Sequence, residues 1–66
     1  MEMVRLNSSA ISAVGYDEQS SRMRITFQAG HSYDFCRVPR HIYEGLVHAP
    51  SAGTYYDSHI KDRYPC

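Results

Sequence analysis

The clearest pattern in the chain is Arg22-Met23-Arg24-Ile25-Thr26-Phe27-Gln28, in which Met23, Ile25 and Phe27 alternate with polar residues. A period of two sends the apolar side chains to one face and Arg22, Arg24, Thr26 and Gln28 to the other, which predicts a half-buried strand over 22–28. Gly30 follows and supplies a left-handed turn position at little steric cost. The alternation resumes in His31-Ser32-Tyr33-Asp34-Phe35-Cys36-Arg37, with Tyr33 and Phe35 on one side and Ser32, Asp34 and Cys36 on the other, predicting a strand over 31–37. Upstream, residues 10–16 mix β-branched, aromatic and small side chains. Ile11 and Ala13 share one parity while Val14 and Tyr16 share the other, so a bulge is expected near Gly15. The polar stretch Asp17–Ser21 is of hairpin-connection length. These three strands make an antiparallel meander.

After Pro39 the apolar period lengthens. Ile42, Tyr43, Leu46, Val47 and Ala49 recur near every 3.6 residues, with Arg40, His41, Glu44 and His48 opposite, which predicts a helix over about 39–49. Proline suits its first turn, and Pro50 ends it. Gly45, mid-helix, weakens the helix or permits close packing on the sheet. Ser51-Ala52-Gly53 reads as a turn. A short second helix is expected over about 56–61, capped by Asp57 or Thr54, with Tyr56 and Ile60 facing inward and Tyr64 one turn on. The expected class is α+β, with a three-stranded antiparallel meander and both helices on one face. The other face, carrying Arg22, Arg24, Thr26 and Asp34, is either solvated or an interface. Residues 1–7 form a partly ordered lead-in to a single domain over 8–64.

Composition changes this picture in one respect. Ile, Leu, Val and Phe number only twelve of 66 residues, so the six tyrosines and three methionines must carry part of the core. Tyr16, Tyr33, Tyr43 and Tyr56 are assigned to that task, with their hydroxyls at the rim. No apolar run approaches the roughly 18–20 residues of a membrane span. The start, Met1-Glu2-Met3-Val4-Arg5, lacks the basic-then-apolar order of a signal peptide. Cys36 and Cys66 are therefore read as reduced thiols in a cytoplasmic protein, Cys36 in a strand and Cys66 at a frayed end, with a single bridge as the alternative.

Seven cations balance seven anions, whereas proteins that bind nucleic acid by neutralising phosphate are usually basic. Six of the seven cations are arginine, whose planar fork suits phosphate and base edges. The four glycines are isolated, so no phosphate loop exists. His41 and His48 lie seven apart, roughly 10 Å along a helix, too far to share one ion, and no zinc-like spacing occurs. No metal or cofactor is expected. Cys36 beside a histidine could imitate a thiol nucleophile and its base, but a strand cysteine is more often an inert small hydrophobe, so no enzyme is expected. Tyr55 differs from the other tyrosines: it adjoins Tyr56, and both rings cannot face inward. An exposed Tyr55 near His59, Lys61 and Arg63 could stack on a base while the cations hold phosphate, with Arg22 and Arg24 as a second cationic group. A solvated, charge-balanced surface is the plain alternative.

The ordered series Ser9-x-Ile11, Val14-Gly15-Tyr16-Asp17, Ile25-x-Phe27-x-x-Gly30-x-x-Tyr33-x-Phe35, Val38-Pro39-x-x-x-Tyr43-x-x-Leu46 and Ser51-x-Gly53-x-Tyr55-Tyr56-Asp57-x-x-Ile60-x-x-x-Tyr64 resembles the KTSC domain. The name abbreviates lysyl-tRNA synthetase C-terminal domain. The family comprises small stand-alone bacterial and phage proteins and appendages on some lysyl-tRNA synthetases. The family's Tyr-x-Tyr stands here as Tyr33-Asp34-Phe35, and its late Phe-Asn as Tyr56-Asp57. The resemblance implies a compact non-catalytic module. It also implies contact with RNA, either tRNA or single-stranded, because some copies ride on a tRNA synthetase. A protein partner or a second copy of the chain, met through the polar strand face or a sheet edge, is the other expectation.

Overall fold

The computed structural model describes all 66 residues. Four strands, β1 (Met3–Arg5), β2 (Ile11–Asp17), β3 (Arg22–Phe27) and β4 (Ser32–Phe35), form one antiparallel sheet in chain order, followed by helices α1 (Arg40–His48) and α2 (Ala52–His59). The α+β class stands, with four strands rather than three. The additional strand lies in the expected lead-in, where Met3, Val4 and Arg5 pair with Gly15, Val14 and Ala13. All three residues of β1 are exposed, so no buried face imprints an alternation on the sequence there.

The register sorts the side chains. Val14, Ile25 and Tyr33 form one row across the sheet, and Tyr16, Met23 and Phe35 the next. Ile11, opposite Phe27, joins this face because the β2 register slips between Ile11 and Ala13. The bulge thus falls at Ser12, not near Gly15. Gly15 meets a different need: a Cβ there would lie 2.5 Å from Met3 Sδ and 2.8 Å from Met1 Cγ, which cross the outer face. Ile11, Val14, Met23 and Ile25 pack with Leu46 of α1, Ala52 of α2, and Val38 and Ile60 from the connecting segments. Burying each large side chain of this set stabilises the fold by about 1.5–3 kcal/mol.

The turns follow local chemistry. Asp17 accepts bonds from the Gln19 N–H (3.1 Å) and the Ser20 hydroxyl (3.0 Å), closing the β2–β3 turn. Gly30 has φ 100°, the left-handed position its place in the β3–β4 turn requires. Strand β4 stops at Phe35, two residues short of expectation, because Arg37 turns the chain with φ 55°. Helix α2 starts four residues earlier than expected. Its cap is Ser51, whose hydroxyl accepts the Thr54 N–H at 3.3 Å, rather than Asp57 or Thr54.

After α2 the chain reverses at Asp62 (φ 62°) and runs back to β4. There the Cys36 N–H donates to the Tyr64 carbonyl at 3.1 Å. Cys36 and Cys66, Cα atoms 4.8 Å apart, form a disulfide across a sequence separation of 30, and no free cysteine is left. This overturns the reading of two reduced thiols: the end of the chain is not frayed but is led to β4 by the Asp62 reversal. It also removes the thiol that a Cys36–histidine pair would need.

Candidate functional site

The cationic and aromatic residues singled out from sequence occupy separate places. Arg22 and Arg24 project from the outer face of β3, away from the helices. Arg24 grips Asp34 in a two-pronged pair, Nε to Oδ1 at 2.7 Å and Nη2 to Oδ2 at 3.2 Å. That hydrogen bond holds the Asp34 carboxyl below the usual carboxylate range and raises the Arg24 guanidinium further. Arg22 stands opposite Asp17 in register, with its Nη2 3.7 Å from Cys36 Sγ.

Tyr55 and His59 pack together on α2, ring centroids 4.4 Å apart. The Tyr55 ring lies across Gly45, where any Cβ would overlap its hydroxyl and ring. Gly45 therefore serves helix-to-helix packing, and Tyr55 is half-buried rather than standing free. Lys61 and Arg63 are exposed on either side of Asp62 and make no salt bridge. The sheet separates Arg22 and Arg24 from Tyr55 and His59.

A different constellation is brought together beside β4. Tyr33, Phe35, Tyr56 and Tyr64 line a groove of about 250 Å³, with Asp34, Asp62 and Pro65 completing its wall. Strand β4 supplies Tyr33 and Phe35 on the core side of the sheet, α2 supplies Tyr56, and the returning segment supplies Asp62, Tyr64 and Pro65. Phe27 and Phe35 meet the Tyr56 ring edge-on at 5.2 and 6.0 Å, fixing it in place. Burial first, and then the carboxylates of Asp62 and Asp57, push the Tyr56 hydroxyl above the ordinary tyrosine pKa. Tyr33, assigned to the core from its alternation, is 55 % exposed, because β4 is an edge strand and no element covers the outer end of its row.

The edge is open beside Ser32 and the Asp34 N–H, while Cys66 Sγ lies 3.5 Å from the Asp34 carbonyl. The Cys36 N–H points away from β3, toward Tyr64, so by alternation the N–H groups of Asp34 and Ser32 point the same way. Between Ser32 and Asp34 no backbone hydrogen bond reaches that side. Of two larger depressions, one of about 420 Å³ between residues 6–9 and the end of α1 carries no charged or aromatic side chain, and one of about 310 Å³ is lined by Tyr55 and His59 with Ala49, Pro50 and Ser51. No three His, Cys, Asp or Glu side chains gather as metal ligands. No helix is long and apolar enough to cross a membrane.

Sequence reasoning missed this groove because it treated Tyr33 and Tyr56 as core and weighed Tyr55 instead. The available signal was the spacing Tyr33-x-Phe35 together with Tyr56 and Tyr64, four rings gathered at an edge strand only four residues long.

A sequence model of the KTSC domain matches residues 7–64. A protein of Tsukamurella paurometabola is 32% identical over 62 residues, covering 94% of this chain and 92% of that protein. A lysine–tRNA ligase of Nostoc punctiforme is 27% identical over 62 residues, 94% of this chain but only 11% of the ligase. The crystal structure of a KTSC domain protein from Yersinia pestis superposes with a TM-score of 0.92 at 27% identity, covering 96% of this chain and 89% of that one.

Proposed function

The chain belongs to the KTSC domain family, and from that premise we propose that it is a non-catalytic module that captures an extended segment of a partner protein along the open edge of β4. The observation that carries this reading is the outward backbone of Ser32 and the outward Asp34 N–H, which meet no backbone partner and lie beside the aromatic groove. An added strand finds backbone donors and acceptors at such an edge, and alternate side chains find pockets next to it. Tyr33 and Phe35 on β4 give the groove its floor beside that edge.

A second reading, contact with RNA, draws on the lysine–tRNA ligase that carries a similar domain over 11% of its length. It is supported locally by the exposed and unpaired Lys61 and Arg63, with His59 and Arg22 as further contacts. The pairing of Arg24 with Asp34 and the packing of Tyr55 on Gly45 weigh against the stacking arrangement.

Titration of the chain and its Ser32→Pro variant separates the two. Proline removes an outward N–H and leaves the backbone bonds to β3 in place, while Ser32→Ala controls for the lost hydroxyl bond to Thr26. Binding of blocked extended peptides that Ser32→Pro abolishes supports strand capture. Binding of tRNA or single-stranded RNA tighter than about 0.1 mM at physiological salt, unchanged by Ser32→Pro, supports the second reading instead. A stable dimer in sedimentation that Ser32→Pro dissolves identifies the captured segment as a second copy.

A further inference from the structure

We infer that the groove beside β4 receives an arginine side chain from the captured segment, an inference that rests on the strand-capture reading. The groove offers three tyrosine rings and Phe35, whose faces are the negative ends of their quadrupoles. Asp62 brings a carboxylate to the same wall. Asp34 also lines the groove, but its carboxylate is already held by Arg24, so Asp62 is the acid without a partner.

No lysine, arginine or histidine lines the groove: Lys61 and Arg63 flank Asp62 in sequence but do not form its wall. The charge that is missing from this surface is therefore positive. A guanidinium fits both features at once, since its plane stacks on tyrosine while its edge forms a two-pronged bond to a carboxylate. A lysine ammonium satisfies the carboxylate but stacks less well.

Size points the same way. At about 250 Å³ the groove falls below the roughly 300–1,000 Å³ of small-molecule pockets, which suits one long side chain rather than a cofactor. The site is also set before binding. Tyr56 is held between Phe27 and Phe35, and the Asp62 reversal is closed by a bond from the Arg63 N–H to the Ile60 carbonyl at 3.0 Å. The Cys36–Cys66 bridge ties the wall carrying Tyr64 and Pro65 to β4.

The test is calorimetric titration with a blocked Val-Thr-Arg-Thr-Val peptide and its citrulline counterpart, which keeps the shape of arginine without the charge. The arginine peptide is expected to bind roughly tenfold more tightly than the citrulline one. Asp62→Asn and Tyr33→Ala should each erase most of that ratio. Asn tolerates the left-handed conformation at position 62, so that variant folds. Equal affinity for the two peptides overturns the arginine inference and leaves strand capture standing. No binding of either peptide below 1 mM, on the order of the weakest useful affinity, overturns both.

Discussion

Tyr16 and Tyr43 close on protein, whereas Tyr33, Tyr56 and Tyr64 surround open space at β4; Tyr55 stands between the two, filling a notch in α1 on one side and lining a depression with His59 on the other. Tyr16 stacks on Tyr43 at 5.0 Å and donates its hydroxyl to the Val38 carbonyl at 2.6 Å. The other three rings stand around the groove at β4. Residue type does not separate the two groups. What separates them is the facing surface: a paired ring and a carbonyl on one side, and a strand edge without a further strand on the other. Tyrosine substitutes for scarce aliphatics in the first region and provides a contact surface in the second.

The largest test of this contrast is removal of the disulfide. Replacing both Cys36 and Cys66 by Ser frees a loop of this length, which costs roughly 3–4 kcal/mol on the chain-entropy account. Thermal unfolding should drop by more than about 10 °C. In folded protein the groove should lose its ligand while the Tyr16–Tyr43 stack persists, seen as unchanged ring contacts in nuclear Overhauser spectra. Loss of both regions together would show that they are one cooperative unit.

Tyr16→Phe comes next. It leaves the Val38 carbonyl without its donor and should lower stability by about 0.5–1.5 kcal/mol in denaturant titration. Tyr33→Ala, on an exposed ring, should change stability by less than about 0.5 kcal/mol while weakening peptide binding. That inversion of stability and binding between two tyrosines is the sharpest form of the contrast.

The alkaline limb gives a smaller effect. The folded pKa of Tyr56 lies above its unfolded value, so the unfolded chain releases the proton first. Stability from this group is complete below the ordinary tyrosine pKa and is lost as pH rises through the folded value. Tyr56→Phe should flatten that limb in stability measured against pH. Gly45→Ala should have the smallest net effect on stability, because a helix-propensity gain of about 0.8–1 kcal/mol offsets the displaced Tyr55 ring. Its readout is the loss of contacts between α1 and Tyr55. If RNA is the partner, the same variant should improve binding by releasing a ring for stacking.

Much of the fold was legible in the sequence. The alternation of Met23, Ile25 and Phe27 marked the central strand, and the spacing of Ile42, Tyr43, Leu46 and Val47 marked α1, because in both a buried face imposes its period. Three features left no such imprint. Strand β1 is exposed on all its residues. Helix α2 begins at Ala52-Gly53, poor indicators of a first turn, and its start is set by the Ser51 cap. The Cys36–Cys66 bridge depends on a reversal at Asp62, an aspartate in a left-handed conformation that sequence alone does not announce. The candidate site was less legible still. The sequence reads Tyr33 as buried and Tyr55 as exposed, and the edge position of β4 and the notch at Gly45 reverse that, leaving Tyr33 open and Tyr55 half-buried.

Amide chemical-shift mapping of the isotopically labelled chain with the blocked Val-Thr-Arg-Thr-Val peptide tests most directly whether the β4 edge and its groove form the contact surface. Expected are saturable shifts at Ser32–Phe35, Tyr56 and residues 62–64, with little change at Arg22, Arg24, Tyr55 and His59. Shifts confined to those last four positions would contradict it and move the contact surface to the arginine face or the packed helix.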